Sequence, residues 1–453
     1  MEPPEGKMTR ASDLEDISTR QGRIAELARN YPGHALTTLS HHMDLVWLRE
    51  ALSRTRKNGA VGIDGQTAQQ YAAHLEENLR DLLARAKSGR YHAPAVRRVY
   101  IPKADGSQRP LGIPTYEDKV LQRAVVMLLE PLYEQDFLDC SWGFRPGRAP
   151  HGALEQVQRR LLAMGGGWVL DVDLRKFFDT LTHEVLRQIL SQRVRDGVVL
   201  RLIGKWLQAG VLEEGAIRPN EDGTPQGGVI SPLLANIYLH EVVDVWFEGT
   251  IKPLLGGESF LVRYADDLVM GFSCQEDARR VLEVLPKRLG KYGLSLNQDK
   301  TRLLEFLRPP EPPPGEPGGK GPGSFDFLGF THYWGRSRRG RWMLKRKTSK
   351  GRLGRALQAI GQWCAKHRHG PVAEQREKLN QKLRGHCGYY GITGNSRSLQ
   401  RYREGLLRLW RQWLDRRSQR ARMSWAKFHK LLERYPILPA LAIHSTSRCA
   451  AKP

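Results

Sequence analysis

Two adjacent carboxylates, Asp266 and Asp267, have apolar segments on both sides within residues 260–272 and follow directly on Tyr264-Ala265. The segments on either side, 260–262 and 268–270, read as strands, so the acids are predicted to sit at the tip of a tight hairpin. Neighbouring anions there repel each other unless a cation neutralises them. A hard divalent ion with oxygen ligands fits, and magnesium keeps open positions for substrate phosphates. A second acidic strand end is available. Trp168–Asp173 alternates, with Trp168, Leu170 and Val172 on one face and Val169, Asp171 and Asp173 on the other. Asp173 would complete a set of three carboxylates able to hold two Mg2+ ions about 4 Å apart for in-line phosphoryl transfer. Asp171 shares its face and is a candidate auxiliary ligand.

The charge of the chain is segregated. The formal net charge is +24, and residues 325–453 alone hold 30 Lys and Arg against 6 Asp and Glu, so the first 324 residues are balanced. Such a surface repels itself unless a polyanion or solvent screens it, and phosphate backbones are its commonest partner. The 5 cysteines stand singly, without zinc-ribbon spacing or a disulfide framework, which points to a reducing compartment. The N-terminus lacks a signal-peptide pattern and no apolar run reaches the length of a membrane span, so a cytoplasmic protein without a membrane partner is expected.

Along the chain, residues 1–44 read as a polar extension with a short helix and flexible ends. Leu45, Leu48 and Leu52 mark a helix. Residues 99–103 and 109–113 form a hairpin around Asp105-Gly106. Helical pattern follows over 117–136, and Thr182 with Glu184 marks another helix start. Residues 308–323 include 7 prolines and cannot pack a core; they read as an extended insertion. Beyond Lys345 the chain is helical and basic, with Tyr402, Leu406, Leu409 and Trp413 as one core stripe.

In their joint order these segments resemble the reverse transcriptase–maturases encoded by bacterial group II introns, from about Leu45 to Pro439. Tyr264-Ala265-Asp266-Asp267 resembles that family's catalytic box. Asp173-Leu174-Arg175-Lys176-Phe177-Phe178-Asp179 resembles its first carboxylate motif. Residues 100–106 with 109–114 resemble its fingers hairpin, and 224–232 the segment lining template and nucleotide. Leu296 to Thr301 and Phe327-Leu328-Gly329-Phe330 resemble its later palm motifs. Gly385 to Tyr390 and Gly394-Asn395 resemble its thumb, or maturase, domain.

The resemblance implies an α+β right-hand polymerase, with fingers and an antiparallel palm sheet, followed by an α-helical thumb/maturase domain. The expected boundaries are an N-terminal extension at 1–44, fingers at 45–160, palm at 161–345 and thumb/maturase at 346–453. It implies catalysis and metal binding by Asp173, Asp266 and Asp267. Lys103, Arg109, Phe178, Gln226 and Lys300 would bind nucleotide. Lys103 and Arg109 flank the hairpin turn, where Arg can grip a triphosphate bidentately. Phe178 would exclude a ribose 2′-hydroxyl, while Phe177 reads as core. Phe327, Leu328, Gly329 and Phe330 would be the primer grip.

The implied partners are RNA (template and intron), a DNA primer and deoxynucleoside triphosphates; oligomeric state stays open. Paired cysteines of the nuclease segment found in many members are absent, so no endonuclease is expected. Two alternatives stay open at this point: an RNA-binding splicing cofactor with an unused polymerase, and an intron-derived enzyme recruited to host defence.

Overall fold

A computed structural model describes residues 8–102, 108–213, 216–218, 227–310, 323–337, 340–418 and 422–444. The Asp105-Gly106 turn, Lys103, Gln226 and most of the 308–323 insertion lie outside the described residues. The chain divides into two compact units, 1–303 and 304–453.

The first unit opens with helices α1 (Met8–Asn30), α2 (Leu45–Ser53), α3 (Ala68–Ala72) and α4 (Leu75–Ser88). Within the expected 1–44 extension, α1 alone runs for 23 residues, longer than the short helix that the sequence suggests. Ile17, Ile24 and Ala28 lie on one side of α1 and are buried. Gln21 Nε2 donates to the Met127 carbonyl at 3.0 Å, fixing the helix in place.

Strands β1 (Val96–Pro102) and β2 (Gln108–Ile113) pair antiparallel, with Arg109 opposite Ile101. Helix α5 (Tyr116–Tyr133) follows, capped by Thr115, whose hydroxyl accepts from the Asp118 N–H. It is buried almost all round, through Val120, Leu121, Ala124, Val125, Leu128, Leu129 and Leu132. A helix buried on nearly every side sits inside the unit, and α1 and α2 pack against it.

Helix α6 (Pro150–Ala163) leads into β3 (Trp168–Asp173), and a short α7 (Phe177–Thr180) precedes α8 (His183–Arg193) and α9 (Gly197–Leu207). Thr182 does precede α8, but without a side-chain capping bond. Strands β4 (Val211–Glu213) and β5 (Ala216–Arg218) extend the first hairpin into a sheet of order β2-β1-β4-β5. Helix α10 (Ser231–Leu239) continues into a π-helix, His240–Ile251. Then come β6 (Ser259–Tyr264), β7 (Asp267–Phe272), α11 (Gln275–Gly290) and β8 (Arg302–Glu305). The second sheet runs β6-β7-β3-β8, so the two strands carrying carboxylates are central neighbours.

The second unit holds an antiparallel sheet of β9 (Phe325–Phe327), β10 (Phe330–Arg336) and β11 (Trp342–Thr348), then α12 (Lys350–Lys366), α13 (Val372–Tyr390), α14 (Ser396–Asp415) and α15 (Trp425–Arg434). Residues expected with the palm at 304–345 are grouped here with the helices. Asn395 explains this: it accepts from the Thr348 N–H at 2.9 Å and donates to the Thr348 hydroxyl at 2.8 Å and the Tyr390 carbonyl at 2.8 Å. The buried stripe of α14 is Leu399, Tyr402, Leu406, Trp410 and Leu414; Leu409 and Trp413 are only partly buried. Trp410 sits where its indole N–H can donate to buried Gln375 at 2.9 Å, which moves the stripe from the one expected. No helix is long and apolar enough to cross a membrane, among the described residues.

Candidate active site

The β6–β7 hairpin closes over Ala265 and Asp266 alone, with Tyr264 and Asp267 as the closing pair. Ala265 has φ +57°, a left-handed conformation that a Cβ disfavours. On the other side of β7, Asp267 faces Asp173, the last residue of β3. Asp266 thus stands at the tip, with Asp267 and Asp173 paired across adjacent strands beside it.

Asp173 is fixed by the chain that follows α11. Its N–H donates to the Thr301 hydroxyl at 3.3 Å, and its carbonyl accepts from the Asn297 N–H at 2.8 Å. The adjoining Arg175 N–H donates to the Ser295 carbonyl at 2.9 Å. Thr301 and Asn297 lie in the segment expected to belong to the palm, and their bonding to Asp173 is what the segment contributes here.

A wholly buried guanidinium supports the turn from within. Arg263 donates to both Asp244 carboxylate oxygens, at 2.7 and 2.5 Å, to Asn236 Oδ1 at 2.9 Å, to the Ser141 hydroxyl at 2.7 Å and to the Ala265 carbonyl at 3.2 Å. Burial pushes the Asp244 carboxyl up, but the Arg263 charge outweighs it and holds the group below its usual range. Asn236 in turn donates to the Gly143 carbonyl at 2.6 Å. Gly143 runs so close to the turn that a Cβ there would lie 2.4 Å from the Ala265 nitrogen.

The electrostatics suit a cation. Burial pushes the Asp266 carboxyl up; Arg109 pulls it back and Asp173 raises it further, in a site that resists holding bare charge. The Lys300 ammonium stands 3.7 Å from Asp173, and Arg302 stands 3.7 Å from Asp171, two residues earlier on the same strand. Three carboxylates of hard oxygen on neighbouring positions fit a divalent ion by donor chemistry. Among the described residues no three acidic, His or Cys side chains are gathered into a closed ligand cluster.

Residues 101–332 match the family described as reverse transcriptase (RNA-dependent DNA polymerase), just over half of the chain. The chain belongs to the reverse transcriptase family. Residues 353–432 match the group II intron maturase-specific domain. The protein YkfC of Escherichia coli (strain K12) is 37% identical over 329 residues, covering 63% of this chain and 84% of that protein. The group II intron-encoded protein LtrA of Lactococcus lactis subsp. cremoris is 42% identical over 182 residues, 40% of this chain and 30% of LtrA. The Nuclear intron maturase 4, mitochondrial, of Arabidopsis thaliana is 28% identical over 204 residues, 45% of this chain and 23% of that protein. The match thus spans under a third of LtrA and under a quarter of the plant protein.

This reverse transcriptase is an RNA-directed DNA polymerase by family, with a maturase-specific domain near its C-terminus. Phe177 is buried and Phe178 is half-buried, their rings 5.1 Å apart in an edge-to-face pair. The outer of the two is the one expected to meet a sugar. Arg109 is exposed on β2. Lys103 and Gln226 lie outside the described residues. Just after Gln226, Gly227 has φ +116°, and a Cβ on it would lie 2.6 Å from the Gly112 carbonyl oxygen. Only glycine allows this loop to meet β2 so closely.

The same loop is anchored from α5. The Val229 and Ile230 N–H groups donate to Gln122 Oε1, at 2.7 and 3.3 Å, and Gln122 Nε2 donates to Asp118 at 3.1 Å. Asp118 is buried and also accepts from Tyr91 Oη at 2.5 Å and Trp206 Nε1 at 2.6 Å. Phe327 and Phe330 belong to the second unit and are buried, flanking a turn in which Leu328 has φ +49° and Gly329 φ +79°. Tyr389 Oη donates to the Leu328 carbonyl at 2.9 Å.

Sequence reasoning missed Arg263, Asp244, Gln122 and Asp118. Arg263 did leave a signal: a charged residue inside an apolar strand one residue before the box.

Proposed function

We propose that this reverse transcriptase extends a DNA primer on an RNA template through Asp173, Asp266 and Asp267. The observation that carries the reading is the pairing of Asp173 with Asp267 across β3 and β7, with Asp266 at the adjoining tip. Two Mg2+ ions held there would supply activation of the primer 3′-hydroxyl and neutralisation of departing pyrophosphate. Asp266 and Asp267 offer oxygens from the hairpin, and Asp173 from the strand beside it. Arg109, with Lys103, binds the triphosphate; Lys300 stands on the Asp173 side, where it neutralises charge on the phosphates. Phe178 packs against the deoxyribose and excludes a 2′-hydroxyl. Residues 327–330 grip the primer.

The same protein binds its intron RNA through the maturase-specific domain, assisting splicing and mobility of the intron. The charge supports this: the whole excess of +24 falls in residues 325–453. A cytoplasmic location belongs to this reading. The test is extension of a labelled DNA primer on RNA with the four deoxynucleotides and Mg2+. A full-length DNA product that disappears with EDTA is expected. No product on any RNA template, from protein that binds that template, would overturn the polymerase reading.

A further inference from the structure

One residue beside the acid-tipped turn has a costly backbone conformation. Phe144 has φ +56° and is 59% exposed. A bulky residue in the left-handed region is a rare outlier, and Gly or Asn would sit there far more comfortably. Its ring lies 6.3 Å from that of Tyr264, the first residue of the catalytic box, at an interplanar angle of 44°.

The segment around it cannot relax. The Trp142 N–H donates to the Arg263 carbonyl, and the Arg263 N–H to the Cys140 carbonyl, both at 2.8 Å, so residues 140–142 pair along the outer edge of β6. Gly143 is held against the turn by Asn236. The next residue, Arg145, is buried and donates to the Leu138 and Ser141 carbonyls, at 2.8 and 2.9 Å, and to Glu134 at 2.9 Å. Arg148 donates to the Asp139 carbonyl at 3.1 Å and lies 5.1 Å over the Trp142 ring. With Gly143 fixed on one side and Arg145 on the other, the Phe144 side chain is driven outward. Strain that the surroundings over-determine, at the edge of a reaction centre, marks function rather than packing.

We propose that Phe144 is a stacking platform for a nucleobase of the template–primer duplex, next to the base pair at the growing end. The inference rests on the polymerase reading. An exposed aromatic face offers sequence-tolerant stacking, which a polymerase that copies any base requires. Tyr264 beside it locates the platform on the β6 edge of the sheet, the edge opposite β8.

The test compares wild type with Phe144→Gly, Phe144→Asn and Phe144→Tyr. Each is titrated, in EDTA, with an RNA template–DNA primer carrying 2-aminopurine at successive template positions near the primer end. The Gly and Asn variants are expected to melt no lower than wild type, since they relieve the left-handed strain. They should bind the duplex roughly 5- to 150-fold more weakly and lose the change in 2-aminopurine fluorescence at one position. Phe144→Tyr should keep both binding and signal. Gly and Asn variants that bind as tightly as wild type with the same fluorescence profile would overturn the platform. So would a Gly variant that melts several degrees lower, because Phe144 would then be a packing residue. Wild type that extends no primer at all, whatever the variants bind, would instead count against the polymerase reading.

Discussion

Arg263 and Asp244 form an ion pair with no exposed side-chain surface, at 2.5 Å, directly beneath the turn that presents Asp266. The pair joins the π-helix to the acid-tipped β6–β7 hairpin, and Arg263 also holds the carbonyl of Ala265, whose φ is left-handed. Removing one partner leaves a buried charge alone, which costs about 3–5 kcal/mol. Asp244→Asn and Arg263→Met are each expected to lower the melting temperature markedly. The double replacement Arg263→Met, Asp244→Leu should recover much of that loss without recovering polymerisation, because Ala265 would still lack its donor. Melting curves and primer extension on the same samples check this. Full recovery of both would reduce the pair to a packing element.

A second buried carboxylate gives a pH signature. Burial pushes Asp118 from 3.8 up to about 6, against hydrogen bonds from Tyr91, Trp206 and Gln122 that favour the anion. The folded state thus holds the proton more tightly than the unfolded chain. Above pH 6 folding must bury a charge; as pH falls from about 6 to 4 that penalty disappears. Asp118 alone should make the fold about 2 kcal/mol more stable at pH 4 than at pH 7. Asp118→Asn, compared with wild type by denaturant titration across that range, should lack this component. A difference between the two proteins that does not change with pH would contradict the burial argument.

Phe178 tests sugar selection. With Phe177 buried behind it, Phe178→Ala should open space for a 2′-hydroxyl without emptying the core. Incorporation efficiency for ribonucleotides relative to deoxyribonucleotides should rise at least tenfold. An unchanged ratio would make Phe178 a core residue like its neighbour.

The strand pairing and the acid-tipped hairpin were legible in the sequence because each rests on local periodicity. Alternation over Trp168–Asp173 and apolar runs around Asp266-Asp267 specify strands whose ends can only meet at the acids. What escaped was long-range. Nothing near Asp244 announces that it pairs with Arg263, since the π-helix that delivers it has no local code. The Asp118–Gln122 link to Val229 and Ile230 spans over a hundred residues in the chain. The α1 helix was underestimated because few of its residues are known to be buried, at Ile17, Ile24 and Ala28, and only α5 makes sense of them.

The charge asymmetry predicts a salt response. Intron RNA held through six or more phosphate contacts should lose about 1000-fold in affinity between 50 and 200 mM salt. Filter binding across that range measures the slope. A slope near zero would mean that the 30 basic residues beyond position 324 are merely solvated.

The most direct test is single-turnover addition of one deoxynucleotide to a DNA primer on RNA, by wild type and by Asp173→Ala, Asp266→Ala and Asp267→Ala. Duplex affinity is measured on the same preparations. The account predicts a rate lowered by at least 1000-fold in each variant, with affinity within a few-fold of wild type. Any of the three retaining a rate within tenfold of wild type would contradict the assignment of the carboxylate site.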